Sequence, residues 1–580
     1  MLEIFYYFVC NNKNMKRKTT IMFFLTSSLL VVSCAKNEDP TTSISSTTSE
    51  DIQISLEISA SHNSGYYDDE FNLTLDGNAP EIYYTTDGSE PTKESTRYYG
   101  PIHIYDRSND ENLLANRNDL SPLENYYKPN FKIDKAFVIS YTAFNGDEQG
   151  PVYHQTYFIN KSNNGLKTVS LSINNNDLFN EETGIYCLGN IYANASEAEK
   201  ENPYTAPANY SQKGKEWERK ANVSIFNSDK EQIVGQDIGI RIQGGWTRAY
   251  AQKSISLYAR KEYDGTGKFD VPLVNNIKHD RYILRSGGYR DWAITKMRDL
   301  LSQSLSSGLG FETMTGEPVE AYLNGEYWGV YELVEKYSDS YIQDAYGISK
   351  KNVDIIKMGE VDEGDESTLA RYEEMINFFK DTDLSIESNY DIAKQYIDID
   401  AFINYVVCET YIGNVDWPKN NIRFWRSKTA GENRYEDCKW RPMMYDTDDS
   451  SAVPPIEHKS GVTIDPFLEA AHWAGGPLSN KCDLGNIMLS LLNNNGFKQR
   501  FYERAEDIVN NVFDYSNVHT KIETLKAKIE NVIVKQYRRY VSEDLDLSYF
   551  NDQVSTIDNF FSARKGYYNT YLHEHLGEVS

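Results

Sequence analysis

The chain is short of cations and of paired cysteines. Its 59 Lys and Arg face 86 Asp and Glu, a formal charge of −27 over 580 residues. That balance excludes a general nucleic-acid binder, because neutralising phosphates needs a basic surface. Of six cysteines, Cys10 and Cys34 lie near the start, and Cys187, Cys408, Cys438 and Cys482 show no Cys-x-x-Cys spacing. Neither a zinc site nor a disulfide framework is signalled. The apolar stretch from Thr19 to Val32 falls short of the roughly 20 residues a membrane-spanning helix needs.

That stretch has a different use. It follows the basic Met15-Lys16-Arg17-Lys18 and closes on Ser33-Cys34, so residues 1–34 read as a signal peptide. Val31-Val32-Ser33-Cys34 resembles a bacterial lipobox, in which cleavage leaves Cys34 at the new N-terminus for acylation. Lys36-Asn37-Glu38-Asp39 resembles the charged export tag of surface lipoproteins. The expectation is a lipoprotein anchored in the outer membrane or at the cell surface. Residues 35–50, containing TTSISSTTSE, form a Ser/Thr-rich linker that cannot pack a core.

At 580 residues the remainder exceeds what one core organises, so at least two domains are expected. Forty per cent hydrophobic and 25 per cent charged residues are globular values, and 44 tyrosines supply aromatic contact surface. Residues 51–160 alternate as strands, with Phe71 to Leu75 and Ala136 to Tyr141 as clear cases. The stretch IYYTTDGSEPT, Ile82 to Thr92, sets a tyrosine-rich strand before an Asp-Gly turn. This segment resembles the small β-sandwich at the C-terminus of chitobiases, an Ig-like module with no catalytic role implied. From residue 166 strands such as Val169 to Ile173 and Ile238 to Ile242 give way to helical periodicity at Trp292 to Leu305, Leu369 to Lys380 and Ala401 to Tyr411. Strands followed by helices make an α+β domain over 166–515, with a helical extension over 516–580.

Chemistry concentrates in GNVDWPKNNIRFW, residues 413–425, and RPMMYDTDDS, residues 441–450. Gly413-Asn414 ends a helix, so Asp416 opens an irregular loop with Asn421 five positions on. A carboxylate beside an acceptor hydroxyl and oxygen ligands for a metal ion are what phosphoryl transfer requires. The strand from Asn421 and the strand Trp440 to Tyr445 are expected to form a hairpin that returns Asp446 and Asp448 to the same end. Upstream, Gly244-Gly245 punctuates two strands and lets backbone amides approach an anion. Lys253 shares a strand face with Ile255 and Leu257, a placement that demands a partner; Glu335 or an acid near Asp299 would serve.

Together, GGWTRAYAQKSISL, RSGGYRDWAITKMRDLLSQSL, YLNGEYWGVYELVEK and the two acidic segments resemble the CotH kinase family. The resemblance implies a minimal kinase-like fold that binds ATP with Mg²⁺ or Mn²⁺ and phosphorylates Ser or Thr of proteins. It implies Asp416 as catalytic base, Lys253 and Arg248 at the phosphates with Gly244 and Gly245, Glu335 as ion-pair partner, and Asn421, Asp446 and Asp448 as metal ligands. No G-x-G-x-x-G loop and no His-Arg-Asp triplet accompany them. The alternative is a non-catalytic adhesin or glycan binder, with Trp246, Trp328 and Trp417 as sugar-stacking rings. A glycosidase would need a facing carboxylate pair, and none stands apart from the acidic segments.

Overall fold

A closed barrel of seven strands stands at the centre of the chain. The computed structural model describes residues 55–123, 126–454, 460–468 and 475–577. The proposed leader, Cys34 and the linker therefore lie outside the described residues. Residues Ile54–Ser580 form one compact unit.

The first layer is all β. Strands β1 (Phe137–Asn145) and β2 (Tyr153–Ile159) pair antiparallel in a six-stranded sheet that packs on two short strand pairs. Their core includes Leu73, Ile104, Ile139 and Tyr157, and matches the expected sandwich. The sandwich sits on the barrel through Phe158, Phe226, Tyr322 and Tyr327, a small aromatic cluster.

The barrel runs β3 (Lys167–Ser172), β4 (Arg219–Phe226), β5 (Gln232–Gln243), β6 (Ser254–Tyr258), β7 (Arg281–Arg285), β8 (Gly316–Leu323) and β9 (Glu326–Glu335). In space β7 pairs with β9, and the ring closes by a parallel pairing of β3 with β8. Alternate residues such as Val169, Ile240, Ile255, Leu257 and Trp328 fill its interior. Closure was not legible as a pattern, because hydrophobic alternation reports a strand's faces and not its neighbours.

The second half is helical around a four-stranded sheet. That sheet comprises β10 (Val353–Lys357), β11 (Glu360–Glu363), β12 (Arg423–Ser427) and β13 (Arg441–Pro442). Helix α1 (Arg298–Ser306) starts six residues later than periodicity suggested. Before it the Asp291 carboxylate accepts the backbone N–H groups of Thr295, Met297 and Arg298, which winds this stretch around one side chain. Helices α2 (Thr368–Asp381) and α3 (Ile399–Ile412) fall where expected. Further on, α4 (Tyr515–Tyr540) packs on the barrel: Gln536 Oε1 accepts Val330 N at 2.9 Å, and Tyr540 donates to the Trp328 carbonyl at 2.9 Å. Its Ile522, Ile529 and Ile533 join the core built on α3, so α4 is integral to this half. Among the described residues no helix is long and apolar enough to cross a membrane. Cys187, Cys408, Cys438 and Cys482 are free thiols.

Candidate active site

The acidic loop is built from its supporting helix. Apart from Asp400, α3 is buried throughout; Asp398 caps its start by accepting Ala401 N, and Gly413 at φ 68° ends it. Asn414 then turns inward: Nδ2 donates to Glu409 at 2.9 Å and Oδ1 accepts Asp416 N at 3.2 Å. Trp417 donates to the Tyr405 hydroxyl at 2.8 Å and pins the loop to α3. Asp416 receives Asn420 Nδ2 at 2.8 Å on one oxygen and Asn421 Nδ2 at 3.1 Å on the other. The Asn421 amide also donates to the Asp446 carbonyl at 3.1 Å. These bonds bring the Asp416 and Asn421 side chains to the Asp446 backbone.

The hairpin that returns Asp446 is present, with Phe424 opposite Pro442 and Trp425 opposite Arg441. Asn421 and Asp446 adopt left-handed backbone, φ 53° and 61°, a conformation that Asn and Asp tolerate best among non-glycine residues. Thr447 donates its N–H and hydroxyl to Asp299 on α1, at 2.9 and 2.8 Å. Behind this turn lies Arg285, at the end of β7. Its guanidinium donates to Glu332 at 2.8 Å and to both oxygens of Asp448, and touches Asp446. Asp448 fills the space that a side chain on Gly288 would need: a Cβ there would collide with its carboxylate.

The environments push these carboxylates apart. Burial drives Asp448 well above the usual carboxylate range and raises Glu332 to about 7. Asp446, also burdened by burial, is held down by Arg285. Its side chain remains 46% exposed against 3% for Asp448. Burial raises the Asp416 carboxyl, with Asp446 adding to the effect. Asp446 thus presents an ionised oxygen to solvent, and Asp416 is tuned toward proton acceptance. Asp448, gripped through both oxygens, serves Arg285 and is not free to ligate a metal.

The upstream residues are not brought to this site. Lys253 does share the face of Ile255 and Leu257, but that face is the barrel interior. Its ammonium donates to the carbonyls of Leu120, Arg248 and Tyr250 at 2.7, 2.6 and 2.7 Å and lies 3.9 Å from the Tyr210 ring centroid. With three donors spent and no exposure, it cannot reach a phosphate. Arg248 is also buried, bonded to the carbonyls of Gly244, Tyr210 and Gln212. Glu335 pairs with His279 at 3.1 Å and Thr315 N at 2.7 Å, not with Lys253. Gly244 and Gly245 do form the turn after β5, at φ 114° and −105°. Trp328 and Trp417 are fully buried and offer no sugar surface; Trp246 is 49% exposed.

Other cations lie near the acidic loop. Lys336 follows β9 and donates to Gln243, the last residue before the glycine turn, at 3.1 Å. Lys357, ending β10, lies 5.1 Å from the Tyr445 ring, and Arg423, opening β12, lies 4.9 Å from it. Burial and then the Arg423 guanidinium lower both lysines, Lys336 to about 7, with Asp362 opposing as the nearby counter-charge. The basic set adjoins the acidic one through Tyr445-Asp446. Lys357 and Arg423 occupy paired positions on β10 and β12, a cue invisible without the sheet register.

A hard divalent cation and a polyphosphate both suit this donor set. Asp416, Asn421 and Asp446 offer oxygens of the kind Mg²⁺ and Mn²⁺ take. Around them Asp299 Oδ2 and Asp449 Oδ1 are held only by ion pairs, to Arg285 at 3.5 Å and to Arg290 at 3.4 Å, while Glu332 Oε1 and, beside the lysines, Arg423 Nε carry no hydrogen bond. A buried polar atom left without a partner costs about 1–3 kcal/mol unless a ligand engages it. The model of the CotH kinase protein family matches residues 240–568. The chain belongs to the CotH kinase family. That match spans both the basic and the acidic set of this CotH domain and runs beyond residue 515 to include α4, in keeping with the packing of α4 on the barrel. The chitobiase/beta-hexosaminidase C-terminal domain matches residues 62–111, within the sandwich. No curated protein matches the chain.

Proposed function

We propose that this CotH protein is an extracytoplasmic kinase that transfers the γ-phosphoryl group of ATP to Ser or Thr of surface or secreted proteins. Asp416 accepts the proton of the acceptor hydroxyl as its oxygen bonds to the γ-phosphorus and the bond to the ADP oxygen breaks. Lys336, Lys357 and Arg423 hold the phosphates, and the Gly244-Gly245 turn lies beside them. Asn421 and Asp446 hold the divalent ion, which when bound neutralises charge on the phosphates. The observation that carries this reading is the Asn421 amide, which ties the Asp416 carboxylate to the Asp446 backbone.

The test is incubation of the purified chain with γ-labelled ATP and Mg²⁺ or Mn²⁺. Label is expected on the chain itself or on a Ser/Thr-rich acceptor, and Asp416→Asn and Asp446→Asn each abolish it with folding intact by circular dichroism. Label that survives both substitutions rules the assignment out. Lipid anchoring through Cys34 belongs to the same reading: Cys34→Ser is expected to shift the protein from the membrane to the soluble fraction.

One observation favours a second reading, glycan binding. The exposed Trp246 stacks on Tyr204 at 5.5 Å and meets Tyr289 edge-on at 5.8 Å, an aromatic platform of the kind sugars use. Tight binding on a glycan array that Trp246→Ala removes, with no phosphoryl transfer, would select it.

A further inference from the structure

The seam between the sandwich and the barrel holds a polar cluster that phosphoryl transfer does not use. His154 on β2 turns its ring toward β5. Its Nδ1 is hydrogen-bonded to Ser140 Oγ on β1 at 2.8 Å, so Nδ1 carries the proton when Ser140 accepts, and the lone pair is left on Nε2. That Nε2 is buried without a hydrogen-bond partner and stands 3.7 Å from Asp237 Oδ1, with the imidazole side chain only 6% exposed. Glu90 reaches in from the turn after the Asp87-Gly88 pair. One ligand atom from each of Glu90, His154 and Asp237 lies within 4.8 Å of the others. The Lys220 ammonium sits between the two carboxylates, 2.5 Å from Glu90 and 2.9 Å from Asp237.

We propose that Glu90, His154 and Asp237 form a divalent-metal site of zinc-type chemistry that fastens the sandwich to the barrel. One imidazole nitrogen and two carboxylates are ligands Zn²⁺ accepts, with water completing the set. The 3.7 Å separation of Nε2 and Oδ1 is close to the edge of a tetrahedron with metal–ligand bonds of about 2.1 Å. Lys220 marks the position where positive charge is already favoured, and its 40% exposed side chain can swing into solvent when a dication replaces it. Ser140, behind the imidazole, and Asn222, which donates to Asp237 Oδ1 at 2.9 Å, orient the ligands from outside. The ligands come from both domains, so the metal would be a clasp rather than part of the reaction.

The test uses the full chain stripped with a chelator and titrated with Zn²⁺ by calorimetry and with Co²⁺ by visible absorption. One equivalent is expected that His154→Ala and Asp237→Asn remove, that Lys220→Met binds more tightly, and that persists in Asp446→Asn. Imidazole coordination should show in the Co²⁺ spectrum, and the metal should protect the sandwich–barrel joint from proteolysis. An equivalent unaffected by His154→Ala, or lost only with Asp446→Asn, overturns the proposal. Should His154→Ala fail to fold, Lys220→Met decides: unchanged Zn²⁺ affinity in that variant overturns it too. None of these readouts depends on phosphoryl transfer, so failure here and failure of the kinase reading are separate results.

Discussion

Arg285 and Glu332 face each other across the paired strands β7 and β9, and the arginine Nη1 donates to the glutamate at 2.8 Å. The same guanidinium holds Asp446 and Asp448, so this one barrel side chain ties down the acidic turn of the helical half. Removing the cation strands several acids together. Arg285→Met is expected to cost about 3–5 kcal/mol in urea denaturation at neutral pH, as for a buried charge deprived of its partner. The deficit should narrow as pH falls below about 7, where Glu332 becomes protonated and needs no cation. A loss that stays the same from neutral to acidic pH would contradict this electrostatic account.

The parts of the site that were legible in sequence are local. Asp416, Asn421 and the Gly413 helix stop lie within nine residues of one another, and the hairpin to Asp446 is a nearest-neighbour pairing. What escaped needed long-range register. Alternation placed Lys253 correctly beside Ile255 and Leu257, yet only barrel closure shows that this face looks inward. Glu332 and Glu335 are three apart on β9, so they point to opposite faces, and only the strand pairing shows that Glu332 is the one that meets Arg285. Lys336, Lys357 and Arg423 come from three segments that meet only when β10 pairs with β12 beneath the end of β9.

The proposed phosphate-site role of Lys357 and the buried role of Lys253 are separable experimentally. Lys253→Met strips a donor from three buried carbonyls and is expected to lower stability by about 2 kcal/mol or more, with little change in the ATP KM of the folded fraction. Lys357→Met should do the reverse, raising the ATP KM several-fold with stability nearly unchanged. Denaturation curves and steady-state kinetics on both variants decide; a KM effect confined to Lys253→Met would restore that lysine to the phosphates.

Nucleotide affinity should depend on pH through Lys336. Burial and Arg423 bring this amine down to about 7, with Lys357 and Arg281 adding to the effect and Asp362 opposing it. Its folded pKa lies below the unfolded one, so its contribution to stability grows as pH rises from about 7 toward about 10.4. A bound polyphosphate reverses the shift, and binding above pH 7 takes up a proton. ATP affinity is therefore expected to weaken as pH rises above about 7, by at most about tenfold per unit. Calorimetry in buffers of different ionisation enthalpy reads the proton directly, and Lys336→Met should flatten the profile. Equal affinity at pH 7 and pH 9 in the unaltered chain would exclude Lys336 from the phosphate site.

Gly288 supplies the sharpest steric test. Its φ of 65° and the Asp448 carboxylate against its missing side chain mean that Gly288→Ala adds a clash to backbone strain. Gly347, at φ 74° with no atom within 4 Å of the place a methyl group would take, isolates the strain alone. Gly347→Ala is expected to cost about 1 kcal/mol. Gly288→Ala should cost about 2–4 kcal/mol, since Asp448 must leave the space it shares with Arg285. It should also abolish phosphoryl transfer, because the turn through Asp446 and Thr447 moves with Asp448. Denaturation and labelling assays on the two variants provide the comparison: matching stability losses, or full activity in Gly288→Ala, would show that Asp448 does not hold the acidic turn in place.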